Sequence, residues 1–193
     1  MTHCIMSQLC IAAMDGHTAL VQALLAQDSI SPQVGGEALV WAATRGHYSI
    51  VEALLTAQAD PNLRLPQGGA LHCATMHNHL DVVRRLLQSD ALVDIREQCP
   101  YGKGWTALMY AAALGQMEIA HLLISQGADV NAGDRDGQTP LTIAANAGLT
   151  AMVLLLVEAG ADVCAQDHYG NRPISYARNA KGDREGLVLD KLP

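Results

Sequence analysis

The chain has 193 residues, enough for one or two globular domains. With 12 Lys and Arg against 19 Asp and Glu, its formal net charge is −7; this argues against nucleic acid, where a basic patch dominates affinity, and against an anionic membrane surface. Half of the residues are apolar, yet no apolar run approaches the roughly 18 residues a membrane span needs.

The opening MTHCIMSQLCIAAMDG is mildly apolar but lacks the basic start and unbroken apolar core of a secretory leader, so it reads as a helix. A second helix follows in HTALVQALLAQ, and the same arrangement returns in ALVWAATRGHYSIVEALLTAQADPN and in ALHCATMHNHLDVVRRLLQSDALVD. The two clearest copies come next, GKGWTALMYAAALGQMEIAHLLISQGADVNA and DRDGQTPLTIAANAGLTAMVLLLVEAGADVCA, matched at an offset of 33. A partial copy, NRPISYARNAKG, ends the series. An anchor residue falls at Leu9, Leu39, Leu71, Leu108, Leu141 and Ile174, in steps of 30, 32, 37, 33 and 33. The helix-ending residue falls at Gly16, Gly46, Asn78, Gly115 and Gly148; Asn is the next-best residue for the left-handed conformation after a helix. Self-similarity at this period predicts stacked units.

One unit shows why they must stack. Thr139 is placed to cap a helix, Pro140 sits at its first position, and Leu141, Ala144 and Ala145 form an apolar face. Gly148 ends this first helix, and Met152, Val153, Leu155 and Leu156 face inward from the second. A helix of about two turns is too short to hold in water by itself. Burying each leucine against a neighbouring unit contributes about 1.5–3 kcal/mol and offsets the ordering entropy.

These units resemble the ankyrin repeat, over roughly residues 5 to 182. The resemblance implies an all-α solenoid of helix-turn-helix pairs joined by β-turn or hairpin-like loops. The expectation is one domain over 1–193, with repeats at 5–30, 34–62, 66–95, 101–132, 134–165 and a partial one at 167–182. Residues 183–193 are expected to cap the array, with Leu187, Leu189 and Leu192 folding back as a lid. Ankyrin units often carry a Thr-Pro-Leu-His run with an internal Thr–His bond; no unit here has both residues, which puts the stability of single units in doubt but not the fold. Asn131 resembles the asparagine hydroxylated in many ankyrin proteins, although a turn-forming role accounts for it as well.

Reactive chemistry finds little support. His72, Cys73, His77 and His79 suggest a metal, but their spacing is not that of a standard site, and Cys73 shares the helix slot of Trp41, Tyr110 and Ile143, a core position. Trp41, Tyr110 and Tyr176 are expected in the core for the same reason. YGKGWT resembles the end of a phosphate loop but has Glu97 where a glycine is needed. No serine elbow or nucleophile–base pair is present, so neither an enzyme nor a cofactor is expected. The five cysteines, Cys4, Cys10, Cys73, Cys99 and Cys164, are odd in number and widely spaced, which suggests a reducing, cytoplasmic compartment.

The resemblance implies binding of another protein through a concave groove and turn tips, by a monomer. Residues following the alanine pair face that groove by analogy: Arg45, Met76, His77, Leu114 and Asn146. The turn tips add Leu65, Tyr101, Lys103, Trp105, Arg135, Asp136, His168 and Tyr169. Trp105 has two readings, an aromatic anchor for a partner or packing against the adjacent turn. The longest step, 37 residues, puts four extra residues in IREQCPYGKGW, either a partner-specific tip or a neutral insertion. An alternative role on the same scaffold is a bacterial effector or a toxin-neutralising protein; an enzyme with an unrecognised site is a third.

Overall fold

The computed structural model describes residues 2–27, 30–66, 68–98 and 102–179. Tyr101, Cys99 and the expected lid at Leu187, Leu189 and Leu192 lie outside the described residues. The chain forms two compact units, residues 1–100 and 101–193.

The first unit is built from α1 (Thr2–Asp15), α2 (Thr18–Gln27), α3 (Pro32–Arg45), α4 (Tyr48–Thr56), α5 (Ala70–Met76) and α6 (Leu80–Leu87), with a hairpin of β1 (Arg64–Leu65) and β2 (Gly68–Gly69) before α5. Its first helices pack in a row, α1 on α3 on α5, and its second helices in another, α2 on α4 on α6. The second unit has α7 (Ala107–Leu114), α8 (Met117–Ser125), α9 (Pro140–Ala147), α10 (Thr150–Glu158) and α11 (Pro173–Asn179). There α7, α9 and α11 form the inner row, and α8 packs on α10. The fold is all-α, and each helix pair is one repeat.

The anchor residues Leu9, Leu39, Leu71, Leu108 and Leu141 are at most 1% exposed, and the alanines after them are buried as well. Small side chains at that point let helices of successive repeats approach closely. All five helix-ending residues are left-handed, with φ of 79° at Gly16, 72° at Gly46, 59° at Asn78, 68° at Gly115 and 75° at Gly148. At Gly46 the absent side chain has a second use. A Cβ there would stand 2.6 Å from the ring of His79, which lies over the glycine from the next repeat.

Helix starts are closed by several routes. Thr106 Oγ1 accepts from the N–H of Met109 (3.4 Å), and Thr139 Oγ1 from that of Thr142 (3.3 Å). The residue after the anchor reaches back in three ways: His72 Nδ1 accepts from the N–H of Gly69 (3.4 Å), Met109 Sδ from that of Thr106 (3.5 Å), and Thr142 Oγ1 lies 3.1 Å from Thr139 Oγ1. The missing Thr–His combination is therefore replaced differently in each of these three repeats.

Two helices are longer than the sequence suggests. α1 and α3 each have 14 residues where α5, α7 and α9 have 7 or 8. α3 begins at Pro32 after the cap Ser31 and runs through Gly35 and Gly36. Glycine pairs ordinarily weaken a helix, but here the turn after α4 presses against them. A Cβ on Gly35 would meet Ala59 Cβ at 2.8 Å, and one on Gly36 would meet the Asp60 carbonyl oxygen at 2.9 Å.

Candidate protein-interaction surface

The turns form by a recurring carboxylate device. Asp60, Asp129 and Asp162 each follow a second helix, and each Oδ1 accepts a backbone N–H two residues on, from Asn62 (2.8 Å), Asn131 (2.9 Å) and Cys164 (2.8 Å). This is the local bond that makes Asp a turn former. Asn62 and Asn131 then tie their turn to the next one. Asn131 Nδ2 donates to the Gly160 carbonyl (3.3 Å), and its Oδ1 accepts from the N–H of Asp162 (2.8 Å). Asn62 does the same with Asp90 (3.1 Å) and Leu92 (2.8 Å). Asn131 thus has a full turn-bridging role.

In the second unit the tips are laced together as well. The N–H of Arg135 donates to the Lys103 carbonyl (2.8 Å), and the N–H of His168 to that of Asp136 (2.9 Å), the same bond one repeat later. Asp134 Oδ1 accepts from the N–H groups of Asp136 and Gln138, both at 2.8 Å. Asp167 repeats this with Tyr169 (2.9 Å) and Asn171 (2.8 Å). Burial pushes the Asp167 carboxyl up, but hydrogen bonds from the Tyr176 hydroxyl, the Asn171 N–H and side-chain amide, and the Tyr169 N–H outweigh it and hold the pKa below the usual carboxylate range. The Tyr176 phenol is raised in turn, first by that bond and then by burial.

Trp105 falls on the packing side of its two readings. Its Nε1–H donates to Asp134 Oδ2 (3.0 Å), and its ring meets Tyr110 edge-on at 5.1 Å. It is half-buried against Met109, Ala132 and Ile143. Trp41, Tyr110 and Tyr176 are also half-buried, whereas the sequence predicted core; Cys73 and Ile143 in the same slot are 3% and 6% exposed. The larger rings extend past the layer that the smaller side chains fill, and the Tyr176 hydroxyl uses that reach to bond Asp167 and, at 3.1 Å, Gln138 Nε2.

The remaining candidates are placed as follows. In the first unit Arg45, Met76 and His77 are exposed at the ends of α3 and α5, and Leu65 is half-buried in β1. Met76 is 40% exposed. In the second unit Leu114 is 54% exposed at the end of α7, with Asn146 exposed at the end of α9. Lys103, Arg135 and His168 are exposed at the tips, Asp136 is half-buried, and Tyr169 is 74% exposed. Lys103 Nζ lies 3.9 Å from Asp136 Oδ2, and Arg135 Nη1 donates to the Gly102 carbonyl (2.8 Å), so this charged cluster is partly spent on itself. The sixth residue after each of the first five anchors (Asp15, Arg45, His77, Leu114 and Ala147) is exposed.

His77 and His79, which the sequence suggested for a metal only against a favoured structural reading, make structural bonds, as does His47. His47 Nε2 donates to the Met14 carbonyl and His79 Nε2 to that of Thr44, both at 3.2 Å, each reaching into the preceding repeat. His77 donates through Nδ1 to the Cys73 carbonyl (2.9 Å) and stacks on His79. Cys73 is buried, which pushes its thiol up; burial and then the charge of Glu37 raise the Cys10 thiol to about 11. The bridging histidines were not foreseen, although Gly16-His17, Gly46-His47 and Asn78-His79 recur in the sequence.

A model of ankyrin repeats in three copies matches residues 5–65 and 71–167. Among known proteins, a Caenorhabditis elegans ankyrin repeat and KH domain-containing protein, mask-1, is 39% identical over 119 residues, 61% of this chain and 4% of its own length. The mouse ankyrin repeat and SAM domain-containing protein 6 is 43% identical over 105 residues, 52% of this chain and 11% of its own. A fission yeast glycerophosphocholine phosphodiesterase, gde1, is 35% identical over 137 residues, 68% of this chain but 12% of its own. The chain thus spans a small part of each of these relatives. Both the matched model and the fold of each unit lead to one conclusion: the chain belongs to the ankyrin repeat family.

Proposed function

We propose that this chain is a non-enzymatic protein-interaction module that holds a protein partner on the exposed ends of its first helices and on its turn tips. What carries the reading is the contrast within a repeat. The anchor and the alanines after it are fully buried, while one turn further on Met76 and Leu114 stand 40% and 54% exposed. Large apolar side chains left partly in water beyond the core are suited to an interface. Net charge −7 favours a partner that is not itself strongly acidic.

The test is affinity capture from the native host with mass spectrometric identification, comparing the wild type with Met76→Asp and Leu114→Asp. Both changes are at exposed positions and are expected to leave the helical circular dichroism intact. Loss of a captured protein in either variant supports the proposal. Retention in both moves the binding surface elsewhere. Trp105→Ala suits this purpose less well, because it also removes the bond to Asp134 and the contact with Tyr110.

A further inference from the structure

The turns after α4, α6, α8 and α10 are built alike, and one of them departs from the pattern. In each, an N–H donates to the carbonyl three residues back: Leu63 to Asp60 (3.5 Å), Ile95 to Leu92 (3.2 Å), Ala132 to Asp129 (3.2 Å) and Ala165 to Asp162 (3.3 Å). These bonds fix which residues are equivalent. The first position is Asp in three of the turns, where its carboxylate accepts the N–H two residues on. After α6 it is Leu92, which has no group to accept that bond and stands 61% exposed, more than any other large apolar residue described in the first unit. A large apolar side chain thus stands where the other turns hold a turn former. The turn forgoes one hydrogen bond and buries little in return.

Leu92 is held in place from the repeat before. Asn62 Oδ1 accepts its N–H (2.8 Å), and Asn62 Nδ2 donates to the Asp90 carbonyl (3.1 Å). Together with half-buried Val93 and with Ile95, which is 9% exposed, it lines an open cleft of about 560 Å³. A single exposed leucine is ordinary. One fixed by hydrogen bonds beside a cleft with apolar walls is a contact organised in advance of binding.

The charge at the cleft selects what enters it. Four residues after the Asp or Leu position come Arg64 and Arg96, both exposed, where the second unit has Gly133 and Gln166. Leu92 in place of Asp also takes a negative charge away from the same spot. Asp94 is the one acidic side chain among the described residues of the lining, and both it and Arg96 have partners within the chain. Arg64 has no ion pair among the described residues, and its guanidinium is suited to a carboxylate.

We propose that this cleft docks a segment of a partner protein in which a branched apolar side chain lies beside a carboxylate, the first against Leu92, Val93 and Ile95 and the second on Arg64. The overall charge of −7 disfavours a partner that is acidic throughout, so the carboxylate belongs to a short segment. None of these residues carries the surface proposed above, and the two readings stand or fall separately.

Peptide selection on the full chain tests it. A library of random peptides is depleted on Leu92→Asp, and the remainder is selected on the wild type. Leu92→Asp gives this turn the residue the other three hold, so its helical circular dichroism should match the wild type and its urea midpoint should be equal or higher. Surviving peptides should carry Leu, Ile or Val next to Asp or Glu. Synthesised singly, they should bind Met76→Asp as tightly as the wild type and Arg64→Glu at least about tenfold more weakly. Exchanging their acidic residue for Lys should restore binding to Arg64→Glu, which an unfolded variant would not show. An empty selection, survivors without an acidic residue, survivors indifferent to residue 64, or survivors that fail on Met76→Asp would each overturn the proposal.

Discussion

Replacing Gly35 by Ala inside α3 separates local preference from packing, because the two predict opposite signs. Helix propensity alone favours Ala over Gly by about 1 kcal/mol. The new Cβ, however, would stand 2.8 Å from Ala59 Cβ and 3.0 Å from Ala59 Cα, well inside the roughly 3.5–4.0 Å at which carbon atoms rest. The turn cannot retreat freely, since the N–H of Asp60 donates to the Pro32 carbonyl at the start of the same helix (3.0 Å). Overpacking of this kind costs about 1–3 kcal/mol, and loosening that hydrogen bond about 1 more. The net expectation is a loss of about 1–3 kcal/mol for Gly35→Ala. Gly36→Ala, facing the Asp60 carbonyl and Leu63, should lose a similar amount. Urea unfolding followed by circular dichroism measures it, with Gln33→Ala at an exposed position of the same helix as the reference, expected within about 0.5 kcal/mol of wild type. A gain of about 1 kcal/mol at Gly35 would refute the close-approach reasoning.

Further outcomes follow from single residues. Thr75 is 0% exposed and its hydroxyl has no hydrogen-bond partner, while Ala13, Ala43, Ala112 and Ala145 fill that slot elsewhere; Thr75→Ala should leave stability unchanged or raise it by up to about 1 kcal/mol in urea melts, despite the lost volume. With its pKa held low, Asp167 stabilises the fold above the unfolded carboxylate pKa of about 4, and that share is lost as pH falls through the lower folded value; wild type should therefore lose more stability than Asp167→Asn between about pH 6 and pH 2. At pH 8, alkylation followed by peptide mass mapping should modify exposed Cys164 well before Cys10, whose thiol is raised to about 11, or buried Cys73.

How much could be read from the residues alone depended on how far apart the interacting groups lie. The Thr139 cap, the Pro140 start and the left-handed Asn78 are encoded within a few residues, and each is found in place. The anchors were legible because a period of about 33 repeats the same apolar pattern. The extension of α3 was not, since a Gly-Gly pair signals a break until the Ala59 turn that presses on it is known. The bonds of His47 to Met14 and of His79 to Thr44 span a whole repeat, so the recurring histidine after the helix end shows in the sequence but its partner does not. Trp105 was ambiguous for the same reason, because Asp134, which it bonds, lies in the next turn. At the candidate surface, exposure at Met76 and Leu114 followed from their register after the alanines.

The central claim is that each helix pair stands only against its neighbours, which leaves the rest of its surface free for binding. A synthetic peptide of residues 134–165, holding α9 and α10 with their turns, tests this most directly by far-UV circular dichroism beside the full chain. The full chain should show strong helical signal with a cooperative thermal transition, and the peptide a largely unfolded spectrum with none. A peptide that melts cooperatively from a helical state would contradict the account.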